Sequence, residues 1–194
     1  MDKKLQNAIE VLNNGGIIIF PTDTAFGIGC RIDKKDAIKR LVEIRKRPQG
    51  MAMPVLVNGI EMAKKYSLDV TDDIVKNLIE PYWPGALTVV VKCKMDLIPE
   101  LVRGGKDTVG LRMPNHKDIL DIISNINAPI LGTSANFHGE RTPFTVKDLD
   151  PKLVSLVDYV LDGVCNLDQE STVIDVTVKP WKILRQGAID ITIS

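Results

Sequence analysis

The sequence predicts an α/β protein: a single domain with a twisted mixed β-sheet flanked by helices. Three observations predict it. Helical and extended periodicities interleave along the 194 residues without a fixed repeat length. The strand candidates are rich in β-branched residues, as in Leu87-Thr88-Val89-Val90-Val91. No low-complexity linker divides the chain, so residues 1–194 are read as one domain.

Taken in order, Leu5, Ala8, Ile9 and Leu12 recur at helical spacing and predict a helix over about 4–13, followed by an extended run at 16–20. Ala37, Ile38, Leu41, Val42 and Ile44 predict a second helix, and Pro54 to Val57 return to an extended pattern. Helices follow at about 60–66 and 71–80. The second is opened by Thr71-Asp72-Asp73, whose side chains accept from free backbone N–H groups, and is stopped by Pro81 and Pro84. Strands are expected at 87–91 and 108–112, then a helix carrying Ile119, Leu120, Ile122 and Ile123. Ile130-Leu131 begin a short strand that runs into Gly132-Thr133-Ser134-Ala135-Asn136, and late strands are expected at 157–161, 172–176 and 182–185.

Composition excludes several function classes. Lysine plus arginine and aspartate plus glutamate both number 25, so no whole-molecule field draws the protein to nucleic acid, and any anion site must be local. No apolar run approaches the roughly 18–20 residues that cross a bilayer, and the N-terminus has helical periodicity rather than a secretory block, which predicts a cytoplasmic protein without a membrane role. Cys30, Cys93 and Cys165 are odd in number and widely spaced, so they read as reduced and buried.

The familiar cradles are missing. Gly27-Ile28-Gly29 lacks the third glycine of a dinucleotide fingerprint, with Ile32 in its place, and no glycine precedes the Lys-Ser/Thr of a phosphate loop. Two histidines, His116 and His138, are too few for a three-histidine metal centre, and both read as loop residues. Asp72-Asp73 and Asp148/Asp150 read as caps, so no protein cage for a metal is evident; a nucleotide would bring its own Mg2+ on phosphate oxygens.

What remains is a set of polar segments that border apolar strands: Pro21-Thr22-Asp23-Thr24, Thr108 to Arg112, Gly132 to Asn136, and Ser171 to Asp175. With Arg45-Lys46-Arg47 and Leu184-Arg185-Gln186-Gly187 they could surround one pocket, since strand ends are where α/β proteins commonly bind ligands. At these residues the sequence resembles the YrdC/Sua5 family, the threonylcarbamoyl-adenylate synthases. The family's patterns read PTDTVYGLG, PGPLTVVL, VGVRVPxH, STSAN, STVVD and LRxGAI. This chain carries PTDTAFGIG, PGALTVVVK, VGLRMPNH, GTSAN, STVID and LRQGAI in the same order over roughly residues 8–189, in the length of the short, YrdC-like form.

The resemblance implies a YrdC/RibB-like twisted sheet around a deep basic cavity. It also implies a reaction, in which L-threonine, bicarbonate or CO2 and ATP give threonylcarbamoyl-AMP and pyrophosphate for the t6A modification of tRNA. ATP is a substrate with Mg2+, and tRNA or tRNA-modification proteins are partners downstream. By family position, Thr22, Thr24, Arg112, Gly132 and Ser171 are expected to hold L-threonine, with Arg112 pairing its carboxylate. Arg45, Arg47, Thr108, Ser134, Asn136, Thr142 and Arg185 are expected to face ATP, and Arg45, Arg47, Ser134 and Asn136 to carry the catalytic signature. The chain departs from that signature at Arg45, which replaces a lysine, at Met51, which replaces another, and at Phe26, where tyrosine is usual. Two other readings are a non-catalytic RNA- or nucleotide-binding relative and a carbamoyl-adenylate-forming module.

Overall fold

A computed structural model describes residues 2–48 and 50–191. The helices are α1 (Lys3–Asn13), α2 (Lys35–Ile44), α3 (Ile60–Tyr66), α4 (Asp72–Ile74), α5 (Glu80–Tyr82), α6 (Glu100–Arg103), α7 (Lys117–Ile126) and α8 (Pro151–Val154). The strands are β1 (Ile18–Phe20), β2 (Gly27–Gly29), β3 (Val55–Leu56), β4 (Leu87–Lys92), β5 (Thr108–Arg112), β6 (Ile130–Leu131), β7 (Thr133–Ser134), β8 (Tyr159–Val160), β9 (Thr172–Asp175) and β10 (Lys182–Arg185). The mixed α/β architecture expected from the sequence is present.

The hydrogen-bond ladders divide the strands into two sheets, ordered β7-β2-β1-β8 and β10-β9-β4-β5-β3-β6. Both are mixed: β1 runs parallel to β8 and antiparallel to β2, while β4 runs parallel to β9 and antiparallel to β5. The two are stitched by one stretch, because β6 pairs with β3 in the larger sheet and β7, two residues on, pairs with β2 in the smaller. Leu131 N–H also donates to the Cys30 carbonyl, and Gly132 N–H to the Pro54 carbonyl. The backbones approach so closely here that a Cβ on Gly29 would lie 1.8 Å from the Leu131 oxygen, so only glycine fits.

Side-chain alternation then builds a core on each side of the strands. Ile17 and Ile19, Val55 and Val57, and Leu131 face the larger core, whereas Ile18, Phe20, Leu56 and Ile130 face the smaller one. The smaller core is closed by α1 (Leu5, Ala8, Leu12) and α7 (Ile119, Ile122, Ile123, Ile126). Full burial of each α7 isoleucine contributes about 1.5–3 kcal/mol, which holds α7 on the sheet. Two-sided burial also explains why β1 reads as a continuous apolar run.

One helix end is corrected. The expected helix at 71–80 begins as read, with the Thr71 side chain accepting from Ile74 N–H, but Pro81 does not stop it. The backbone continues through a π-helical turn at Val75–Ile79 into α5, which contains Pro81 and ends at Tyr82. A proline clashes with the carbonyl four residues earlier in a regular α-helix, and the wider turn relieves that crowding.

Candidate functional site

The buried polar side chains gather where strand ends meet. Thr22, Asp23, Thr24, Arg45, Thr88, Arg112, Asn136 and Ser171 are all less than a tenth exposed. Most border a cleft with about 690 Å3 of free volume, part of it open to solvent. The turn after β1 supplies Thr22 and Thr24, the end of β5 Arg112, and the β6–β7 stretch Gly132 and Ser134. Ser171 enters just before β9, Arg185 at the end of β10, and Arg45 and Arg47 just after α2. These nine are sequence-predicted site residues, drawn together from segments far apart in the chain.

The amino-acid end expected from the sequence is a dense network. Thr22 and Thr24 hydroxyls lie 3.0 Å apart, and Thr22 donates to the Ala25 carbonyl at 2.7 Å, which fixes the turn. Arg112 donates from Nε to the Gly85 carbonyl (3.0 Å), from Nη1 to Thr24 Oγ1 (2.7 Å) and from Nη2 to Asp23 Oδ1. A guanidinium has five N–H donors, so one remains on each terminal nitrogen. Burial lowers the Arg112 pKa, while Asp23 opposes the shift. Ser171 Oγ lies 2.9 Å from Thr88 Oγ1 and accepts from Arg185 Nη2 at 3.1 Å.

The nucleotide end expected from the sequence is organised by Asn136. Its Oδ1 accepts from Arg45 Nη2 (2.8 Å) and from Ser134 Oγ (2.8 Å), and its Nδ2 donates to the Glu140 carbonyl. Asn136 therefore lies beneath the lining rather than in it. Arg45 Nη1 is buried and has no partner among the described residues. Burial, helped by Arg47, pushes the Arg45 pKa down to about 10, which leaves it charged at neutral pH. Arg47 reaches back to its own loop, donating to the carbonyls of Met51 and Ala52. Thr142 lies behind Glu170, to which its hydroxyl donates at 3.2 Å, and Glu170 in turn pairs with Arg185 at 2.7 Å.

Thr108 is not brought into this lining. It starts β5 opposite Lys92, four residues before Arg112, or about 13 Å along an extended strand. Phe26 lines the cleft fully buried, where a tyrosine hydroxyl would need a partner.

Sequence reasoning missed Asp23, Thr88 and Glu170 as site residues. Asp23 carried a usable signal, since an acid beside a buried strand end requires a cationic or hydrogen-bonding partner. Among the lining residues are four arginines and one carboxylate, Glu170, with Asp23 behind Arg112. Such a cleft favours anions at fixed positions. Among the described residues no group of three or more His, Cys, Asp or Glu side chains could hold a metal, and no helix is long and apolar enough to cross a membrane.

Comparison with known proteins shows the family. The chain is 30% identical over 187 residues to the threonylcarbamoyl-AMP synthase of Pyrococcus abyssi and 31% identical over 192 residues to that of Bacillus subtilis. It covers 54% of each, so it spans about half the length of these two relatives, while they match 96% and 97% of the chain. The crystal structure of P. abyssi Sua5 complexed with L-threonine superposes with a TM-score of 0.89 at 29% identity, covering 94% of this chain and 54% of that one. Escherichia coli YciO superposes at 0.85 with 26% identity, covering 96% of this chain and 90% of that one. The family model for Sua5, YciO and YrdC, described as telomere recombination, matches residues 10–187. With nearly its whole length matched, this chain belongs to the Sua5/YciO/YrdC family.

Proposed function

We propose that this protein is an L-threonylcarbamoyladenylate synthase, a nucleotidyltransferase that forms threonylcarbamoyl-AMP and pyrophosphate from L-threonine, bicarbonate or CO2 and ATP for the t6A modification of tRNA. The observation that carries it is the convergence of Thr24, Arg112 and Ser171 with Arg45, Ser134 and Arg185 around one cleft. Each reactant has a chemical match there. The threonine carboxylate meets the remaining donors of Arg112, and its hydroxyl and amine lie among Thr22, Thr24 and Ser171. The triphosphate, with Mg2+ held on its own oxygens, meets Arg45, Ser134 and Arg185.

The chemistry asks for alignment and charge stabilisation rather than a nucleophilic side chain. The threonine amine captures CO2 as a carbamate, a carbamate oxygen attacks the α-phosphorus, and pyrophosphate leaves. Holding two unit anions 4 Å apart costs about 4 kcal/mol at an effective dielectric near 20, and fixed guanidinium groups offset that cost. The direct test is incorporation of labelled bicarbonate into an AMP adduct. The adduct is expected only when threonine and ATP are both present; pyrophosphate release that ignores threonine would defeat the reading.

A binding-only role is favoured by one feature, the loop after α2. Met51 stands where the family resemblance implies a lysine, and Arg47 donates to that loop's own carbonyls. On that reading the cleft holds nucleotide or RNA without turnover, and the same bicarbonate assay stays blank while nucleotide still binds.

A further inference from the structure

Arg112 is held from three sides before any ligand arrives. Gly85 takes its Nε, and Gly85 N–H is itself fixed on the Met113 carbonyl at 2.8 Å. Thr24 takes Nη1 and Asp23 takes Nη2. Of these partners Asp23 is the odd one. It carries the charge, it is 4% exposed, and its side chain does not line the cleft. It borders a separate hollow on the far side, with Trp83, Pro84, Gly85 and Asn115.

We propose that Asp23 is a positioning residue that fixes Arg112 for a ligand carboxylate, the identity of that ligand resting on the synthase reading above. Asp23 acts only through Arg112. Its own placement is secured by the main chain, because the Asp23 carbonyl accepts from both Asn166 N–H (3.1 Å) and Leu167 N–H (3.0 Å). Those bonds tie it to the segment that continues to Glu170 and Ser171, so the same residue links Arg112 to a second segment of the cleft lining.

Two physical consequences follow. An arginine side chain loses rotamer freedom when it grips a ligand, and a guanidinium already gripped by Asp23, Thr24 and Gly85 has lost that freedom in folding. The two remaining N–H groups are then presented in a fixed plane suited to a carboxylate. A buried guanidinium without a counter-charge also carries a desolvation cost, which the Asp23 carboxylate offsets from outside the cleft lining.

The test compares wild type with Asp23→Ala, Asp23→Asn, Arg112→Gln and the double variant Asp23→Ala/Arg112→Gln. Initial rates of pyrophosphate release give KM for threonine and for ATP. Asp23→Ala is expected to raise the threonine KM by about tenfold, the scale of one charge-assisted hydrogen bond, with the ATP KM within about twofold. Asp23→Asn keeps an acceptor for Nη2 without the counter-charge and is expected to fall between wild type and Asp23→Ala. The double variant is expected to be no worse than Arg112→Gln, because Asp23 has nothing left to aim. If Asp23→Ala does not fold, Asp23→Ser takes its place in the same comparison.

Four results overturn the proposal: a threonine KM unchanged in Asp23→Ala, threonine and ATP KM rising alike, an Asp23→Asn chain as impaired as Asp23→Ala, or additive losses in the double variant. Calorimetric threonine binding on the same proteins separates this failure from failure of the synthase reading. Wild type that binds threonine but forms no adduct defeats the synthase reading, and the binding series then decides the role of Asp23. Wild type that binds no threonine defeats both.

Discussion

Arg45 donates twice to Asn136, from Nε to its main-chain oxygen at 2.9 Å and from Nη2 to its side-chain oxygen at 2.8 Å. The two residues are 91 positions apart, and a substitution at Asn136 removes the second of these bonds while leaving the first. Asn136→Ala removes the side-chain acceptor of the buried Arg45 guanidinium and leaves only the main-chain one at Nε, whereas Ser134→Ala removes a hydroxyl of the cleft lining. Asn136→Ala is expected to destabilise the protein by about 1–3 kcal/mol, read as a fall in denaturant midpoint, and also to weaken nucleotide binding. Ser134→Ala is expected to weaken nucleotide binding with little change in that midpoint.

Met51 is 41% exposed, and its carbonyl rather than its side chain accepts from Arg47. Met51→Lys therefore adds a cation beside the cleft without disturbing the loop. Under the synthase reading, turnover measured by pyrophosphate release is expected to rise by about threefold to tenfold, the effect of roughly 1 kcal/mol of extra charge stabilisation. Unchanged turnover would mean that the charge is supplied by another residue.

The three cysteines are buried and free. Burial pushes the Cys30 thiol up to about 12 and the Cys165 thiol up to about 11, so neither forms a nucleophilic thiolate at neutral pH. Native protein is expected to resist alkylation over hours at neutral pH and to take up three equivalents of reagent only after denaturation, as counted by mass spectrometry.

His116 is half-buried, its Nδ1 has no partner, and burial lowers its pKa against the opposing pull of Asp118 and Asp23. The unfolded chain, with an ordinary value near ~6.5, takes up the proton first as pH falls. Stability present above that value is thus lost on acidification. The melting temperature of wild type is expected to fall further between about pH 7.5 and about pH 5.5 than that of His116→Gln. Equal falls would assign the acid limb to the carboxylates alone.

Legibility in the sequence followed the range of the forces involved. The β-branched run of β4 and the isoleucine periodicity of α7 are local signals, and both elements stand where those signals put them. The expected helix at 60–66 coincides with α3. β2 gave no alternation to read, because two of its three residues are glycines, Gly29 set against the Leu131 backbone and Gly27 against the Phe20 ring. The division into two sheets depends on which edge of a two-residue strand each partner takes, and no periodicity carries that. At the site, the ordered motifs brought the right segments together, yet they could not show that Asp23 and Arg112, 89 positions apart, satisfy each other. Thr108 shares a motif with Arg112 but is separated from it by a straight strand, a distance that proximity in sequence conceals.

The stretch from Ile130 to Ser134 serves both ladders, and that has a mechanical consequence. A domain divided into two independent sheets could part along the seam like a hinged shell. Here the seam is one continuous stretch of chain, bonded on β3 through β6 and on β2 through β7. Loosening either sheet strains the other, so the floor of the cleft, to which Gly132 and Ser134 belong, is held from both sides.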